Sequence, residues 1–125
     1  MKKIAIMQPT YLPWLGYFAL MTCVNEFILL DDVQFERKSW QQQNRIKGAE
    51  GPIMLRVPVR KTGRLDTAIN KIEIDWSSEF DRKHLRAVES AYGGAPYWQR
   101  HSQGIRKMIS CRTGLLADYT ASIID

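Results

Sequence analysis

The chain has 125 residues, which suffice for one compact domain but not for two. Hydrophobic residues make up 45% and charged residues 25%, a balance that excludes an intrinsically disordered chain. The net charge of +5 favours an anionic partner, although such a charge is as common in proteins without one. No segment approaches the roughly 20 apolar residues of a membrane-spanning helix, and Gln8 and Pro9 interrupt the apolar start too early for a signal peptide. We therefore expect a cytoplasmic protein.

The first part of the chain has the pattern of a strand, a helix and a second strand. Residues 4–7 and 26–31 are short apolar runs, as expected for strands buried on both faces. Between them, residues 14–23 are apolar nearly all round, which predicts a well-buried helix that Pro13 can begin. Elements in this order form a right-handed unit with parallel strands.

Polar residues stand at the end of both strands. Gln8 follows the first, while the second ends in Asp31 and Asp32, with Gln34 shortly after. Ligands of open parallel sheets bind in the crevice outside the carboxyl ends of the strands, and neighbouring strands lie only about 4.8 Å apart. We therefore predict that Gln8 and the aspartate pair face one crevice, with Gln34 as a further substrate contact.

The middle of the chain is less regular. Residues 34–51 are polar and basic and predict a functional loop. Alternating apolar residues predict strands at 53–59 and 70–76, with a turn at 61–64 between them. Because proline cannot donate a hydrogen bond to a neighbouring strand, Pro58 indicates that the first strand is an edge strand or that it ends near this proline.

The last third has helical patterns. One begins near residue 80, after Ser78 and Asp81 in the spacing of a capping box, and stops at Gly93. Two more follow, around Trp98 and around Leu116. We predict a single α/β domain over residues 1–125, with a small open sheet started by a parallel βαβ unit and a mostly helical C-terminal third.

Four residues near the first strand have the chemistry of a small-molecule site, in which aromatic walls carry a few polar groups. They are Gln8, Tyr11, Trp14 and Tyr17. For Gln8 a ligand contact is favoured, because a purely structural turn would use Gly, Asn or Asp. Trp14 and Tyr17 could instead be core residues of a buried helix, and for Trp14 this explanation is at least as good.

The aspartate pair offers a carboxylate for proton transfer. Asp32 is the candidate that would deprotonate an amine, and the pair could instead bind a divalent cation. A solvated strand end, or an ion pair with Arg37 or Arg45, explains the same residues without a function. No second cluster of metal-binding type accompanies the pair, so we predict no metal site.

The polar loop combines charge, a stacking surface and an amide in Lys38, Trp40, Asn44 and Arg45. This set suits the diphosphate and base of a nucleotide sugar, with the arginine as a fork on the phosphates. It suits single-stranded nucleic acid as well. A solvated basic loop is the alternative, but a lone tryptophan is unusual in so polar a segment.

Three stretches carry recognisable motifs: residues 7–18 (MQPTYLPWLGYF), parts of 30–46 (LDDVQF, KSW and NRI), and the pieces KH, AY and APY between residues 83 and 97. Together they resemble the WbqC-like protein family. The resemblance implies a bacterial protein of O-antigen or surface-polysaccharide synthesis that transfers an acyl or glycyl group to a nucleotide-linked amino sugar. It also makes His84 a candidate general base, whereas by its place on the apolar side of a helix His84 is a core residue.

The chain departs from the family pattern in two respects. Gln43 stands where the family usually has a basic residue, and family members are generally longer. Residues 1–125 are therefore a candidate for the N-terminal part of a longer fold. The family resemblance implies no cofactor beyond an activated acyl donor, for example on an acyl-carrier protein, and a nucleotide sugar or another anionic small molecule as ligand.

Two other functions stay open. The basic loop also suits a non-catalytic module that binds nucleic acid or a protein partner. A nucleotidyltransferase also opens with a strand, a proline-bearing loop and a helix, but its His-x-Gly-His element is replaced here by residues 14–17 (WLGY). The chain lacks the glycine-rich phosphate loop and the serine nucleophile elbow, which excludes P-loop enzymes and covalent hydrolases of those classes.

Overall fold

The chain opens with the predicted parallel unit. A computed structural model describes residues 1–61 and 66–125, and in it β1 (Ile4–Met7), α1 (Leu15–Thr22) and β2 (Glu26–Leu29) follow one another. β1 and β2 pair in parallel, from Ile4 opposite Glu26 to Met7 opposite Leu29. Their carboxyl ends therefore lie side by side, and the βαβ prediction is confirmed.

The predicted full burial of β1, β2 and α1 is wrong. Ile6 of β1 is 56% exposed, and Ile4 and Ile28 are exposed with it. The reason is that α1 covers one face of the sheet, where the Tyr17 ring packs 5.3 Å from that of Phe27, and leaves the opposite face uncovered. α1 itself buries Tyr17 and turns much of its apolar surface outward.

A hairpin follows, and half of it was not predicted. β3 (Gln43–Gly48) pairs antiparallel with β4 (Gly51–Arg56), so the prediction of a loop over residues 34–51 is wrong for its last part. The sequence of β3 is polar and lacks the alternation of a strand. β3 adopts a strand because it pairs with the apolar β4. Gly51 has a φ of 135°, which suits glycine at this tight turn. The strand predicted at 53–59 is confirmed as β4 over residues 53–56, and the strand ends before Pro58.

The strand predicted at 70–76 is wrong. Two 3-10 turns, Ile69–Lys71 and Trp76–Ser78, occupy its ends, and between them Ile74 and Glu73 form isolated bridges with Val59 and Leu115. The alternation that suggested a strand is real, since residues 72 and 74 are buried and residues 71 and 73 are exposed. The turn predicted at 61–64 lies mostly outside the described residues.

The helical end of the chain is confirmed as α2 (Phe80–Tyr92), α3 (Trp98–Ile109) and α4 (Leu116–Ile124). Gly93 follows α2 directly, as predicted. The capping box is wrong, because the Ser78 hydroxyl donates to the Asp75 carbonyl instead of the helix end.

The core lies between the hairpin and the helices, with Tyr119 at its centre. The Tyr119 ring is fully buried and lies 5.9 Å from the rings of Tyr11 and Phe80 and 5.6 Å from that of Trp76. Its hydroxyl donates to the Ile109 carbonyl at 2.7 Å. This cluster joins α2, α3 and α4 to the segment that follows β1.

Candidate functional site

A cleft of about 430 Å³ lies at the carboxyl ends of β1 and β2. This is the edge of a parallel sheet at which ligands are expected to bind. Its described lining comprises the ends of both strands, the start of α1 and the segment before β3: Ile6, Met7, Gln8, Thr10, Trp14, Leu30, Glu36, Ser39, Trp40 and Gln41. We call it the strand-end cleft.

Gln41 fastens the two sides of the strand-end cleft together. Its side chain is buried, and its amide nitrogen donates to Gln8 Oε1 at 2.9 Å. Its amide oxygen accepts from the backbone N–H of Glu36 at 2.8 Å. The backbone N–H of Tyr11 donates to the Trp40 carbonyl at 3.0 Å. This bond connects the same segment to residues 7–18, which we call the opening motif. The cleft is therefore held by tertiary contacts between segments some thirty residues apart.

Two exposed tryptophans line the strand-end cleft. Trp14 is 54% exposed and Trp40 is 56% exposed. Trp14 stands at the N-cap of α1, with its ring edge against Tyr17 at 5.7 Å. Large aromatic rings that stay exposed beside polar groups are typical of surfaces that stack against a ligand ring.

The polar lining has unused hydrogen-bonding capacity. Thr10 is only 8% exposed, yet its Oγ1 has no hydrogen-bond partner among the described residues. Buried hydroxyls are nearly always paired, so this one is costly in the free protein. The carboxylate of Glu36 forms no salt bridge with any residue of the described ranges.

The strand-end cleft contains three of the residues predicted for substrate binding: Gln8, Trp14 and Trp40. Asp32 and Gln34 are not among the residues that line it in the described part of the chain. After β2 the chain turns aside, because the carbonyls of Asp31 and Val33 accept hydrogen bonds from the backbone N–H groups of residues 70 and 69. Of the residues predicted to share one crevice, Gln8 lines the strand-end cleft and the aspartate pair is not part of its described lining.

Tyr11 and Tyr17, also predicted to bind substrate, are fully buried. The Tyr17 hydroxyl donates to the Gln8 carbonyl at 3.0 Å. This bond holds the backbone of Gln8 in place at the strand-end cleft. Tyr11 lies in the core, with its hydroxyl 2.7 Å from Nδ1 of His84. Both tyrosines thus support the opening motif and leave contact with the ligand to their neighbours.

His84 is buried and uncharged. Burial lowers its pKa from 6.5 to about 4, against smaller raising effects of a hydrogen bond to the backbone of Arg56 and the charge of Asp81. Nδ1 of the neutral ring lies within hydrogen-bond distance of the Tyr11 hydroxyl, and burial raises the pKa of Tyr11 well above its usual value. His84 lies in a groove beside Lys83, apart from the strand-end cleft. Its contacts hold α2 to the opening motif.

The remaining predicted set is dispersed. Asn44 donates to the carbonyl of Leu12 at 2.6 Å and so supports that residue at a φ of 47°, a conformation disfavoured for leucine. Arg45 lies beside a separate groove at the hairpin turn. Lys38 is exposed, with its backbone tied to Gln42. None of these three side chains is among the described residues that line the strand-end cleft with Trp40.

Sequence reasoning missed Thr10, Glu36, Ser39 and Gln41. Thr10 sits inside the opening motif, and this position was the one available signal. The other three belong to a polar stretch that has the composition of a solvated loop, and only its fold against the opening motif makes them part of the lining.

Among residues 1–61 and 66–125, no helix reaches the length and apolarity needed to cross a bilayer. Within the same ranges, no three His, Cys, Asp or Glu side chains gather as a metal ion would require.

Comparison with known proteins places the chain. It is 41% identical over 98 residues to a Mycobacterium tuberculosis protein that is itself named only as uncharacterized. The matched region is 78% of this chain and 42% of that relative, so the chain spans less than half the length of the protein it matches. No solved structure matches significantly. The profile of the WbqC-like protein family matches residues 8–125, and the chain belongs to that family.

Proposed function

We propose that the protein transfers an acyl or aminoacyl group to a nucleotide-linked amino sugar in surface-polysaccharide synthesis, and that the strand-end cleft is the acceptor site. One observation carries the proposal: two exposed tryptophans and the Gln8 amide meet in a cleft at the carboxyl ends of parallel strands. Aromatic rings pack against the C–H faces of a sugar, and amides bind its hydroxyls. Family membership supports the choice of sugar acceptor and of reaction.

The reaction joins the sugar nitrogen to an acyl carbon. The amine lone pair attacks the carbonyl of an activated acyl donor, such as a thioester on an acyl-carrier protein. The nitrogen loses a proton to a base, and the tetrahedral intermediate expels the thiolate, which leaves an amide. Holding amine and carbonyl in contact supplies much of the acceleration in such a step. The general-base roles of Asp32 and His84 stay predictions, and a cytoplasmic location, where nucleotide sugars and carriers are available, belongs to the same proposal.

Removal of either exposed tryptophan is expected to weaken acceptor binding. An aromatic contact contributes about 1 kcal/mol beyond its buried area, so Trp14→Ala and Trp40→Ala should each raise the Kd about fivefold or more. Isothermal titration calorimetry with UDP-glucosamine measures this. Tyr97→Ala is the matched control, because this tyrosine is 70% exposed and does not line the strand-end cleft.

A nucleic-acid-binding function would give a different result in the same assay. Affinity for a single-stranded oligonucleotide would then exceed that for the nucleotide sugar and fall steeply with salt. An unchanged Kd for UDP-glucosamine in both tryptophan variants, with their folds intact, would contradict the proposed acceptor site.

A further inference from the structure

The charge of the strand-end cleft is opposite to that of the chain. The protein carries a net charge of +5, yet Glu36 is the one acidic or basic residue among the described residues that line the cleft. Lys38 and Arg45, the cations predicted to hold a diphosphate, do not line it. A phosphate placed inside would meet a carboxylate and no cation of the described lining. The cleft therefore favours a neutral or cationic group.

Glu36 is held in place through its backbone. Gln41 accepts from its N–H at 2.8 Å, and the Ser39 hydroxyl donates to its carbonyl at 2.6 Å. The carboxylate itself is exposed and forms no salt bridge within the described residues, although Arg37 and Lys38 follow it in the chain. A fixed backbone with a carboxylate that no described cation holds is suited to receive an ammonium group.

Thr10 gives an independent indication that a ligand enters. More than nine-tenths of this residue is buried, it lines the strand-end cleft, and its Oγ1 has no hydrogen-bond partner among the described residues. A ligand hydroxyl or amine that reached this oxygen would remove the cost of leaving it unpaired.

We infer that Glu36 and Thr10 determine the specificity of the strand-end cleft: the amine-bearing ring of the acceptor lies inside, against Trp14 and Trp40, and its diphosphate stays outside. The amine lies against the Glu36 carboxylate, and a ring hydroxyl bonds Thr10 Oγ1. This inference rests on the proposed function. It adds which end of the acceptor enters the strand-end cleft and which side chains recognise that end.

Paired ligands and near-isosteric variants test the inference by titration calorimetry. A charge-assisted hydrogen bond corresponds to about tenfold in affinity, so the wild-type protein should prefer UDP-glucosamine over UDP-glucose by about that factor. Glu36→Gln should reduce the preference to below twofold, while Glu50→Gln, the same change at an exposed hairpin residue outside the cleft lining, should preserve it. Thr10→Val should weaken both ligands about fivefold, and Thr10→Ser should restore them.

Several outcomes would overturn the inference. Glu36→Gln could retain the preference, Thr10→Val could leave both affinities unchanged, or UDP alone could bind as tightly as the nucleotide sugars, which would place the diphosphate inside. Equal binding of both sugars with a normal dependence on Trp14 and Trp40 would reject the inference and keep the proposed function. Binding of neither sugar would reject both.

Discussion

Replacing Tyr119 by alanine is expected to lower the free energy of unfolding by about 3–5 kcal/mol, the range for deleting a large buried aromatic side chain. The ring is fully buried and contacts Tyr11, Trp76 and Phe80, so its loss leaves a cavity bounded by three rings that cannot close it without moving. The carbonyl of Ile109 also loses its hydrogen bond from the Tyr119 hydroxyl. Urea denaturation followed by circular dichroism measures the effect.

Two variants separate packing from hydrogen bonding at this position. Tyr119→Phe keeps the ring and should cost about 1–2 kcal/mol, because it leaves the Ile109 carbonyl unpaired. Tyr97→Ala removes an exposed tyrosine and should change stability by less than about 0.5 kcal/mol. Equal effects of Tyr119→Ala and Tyr97→Ala would show that the core is not organised around Tyr119.

Acidification is expected to destabilise the protein through His84. The pKa of His84 is about 4 in the folded protein and 6.5 in the unfolded chain. Between these pH values His84 is therefore protonated in the unfolded chain and neutral in the folded protein. The free energy of unfolding therefore falls as the pH drops from 6.5 to 4. The full contribution, about 3 kcal/mol, is present above pH 6.5 and absent below pH 4.

His84→Gln isolates this effect from the titration of carboxylates. The variant keeps a polar side chain for Tyr11 but cannot take up the proton, so its stability should fall less than that of the wild type between pH 6.5 and 4. His101→Gln, at an exposed position on α3, should follow the wild-type curve. Parallel pH profiles for the wild type and His84→Gln would show that the imidazole is not held neutral by the fold.

Most of the element order could be predicted because its signals are local. The apolar runs of β1 and β2, the alternation in β4 and the glycine after α2 each specify a structure within a few neighbours in sequence. The exposure of Ile6 could not be predicted in this way, since it depends on which elements cover the outer sheet face. β3 was missed for the same reason, because its partner strand determines it.

The strand-end cleft was predicted in position and only partly in composition. Parallel pairing fixes where the carboxyl ends meet, so Gln8 could be placed from the sequence. The path of the chain after β2 depends on hydrogen bonds to residues 69 and 70, so the sequence could not show whether Asp32 lines the cleft. Thr10 and Gln41 have ordinary side chains for a loop, and only their burial distinguishes them.

The most direct test of the strand-end cleft as ligand site uses the four tryptophans as internal reporters. Each indole N–H gives one signal in a ¹H–¹⁵N correlation spectrum. Titration with UDP-glucosamine should shift the signals of Trp14 and Trp40, while that of Trp76, whose indole donates to the Thr113 carbonyl at 2.7 Å, and that of Trp98 should stay in place. Shifts confined to Trp76 or Trp98, or no shift at a concentration that saturates binding, would contradict the account.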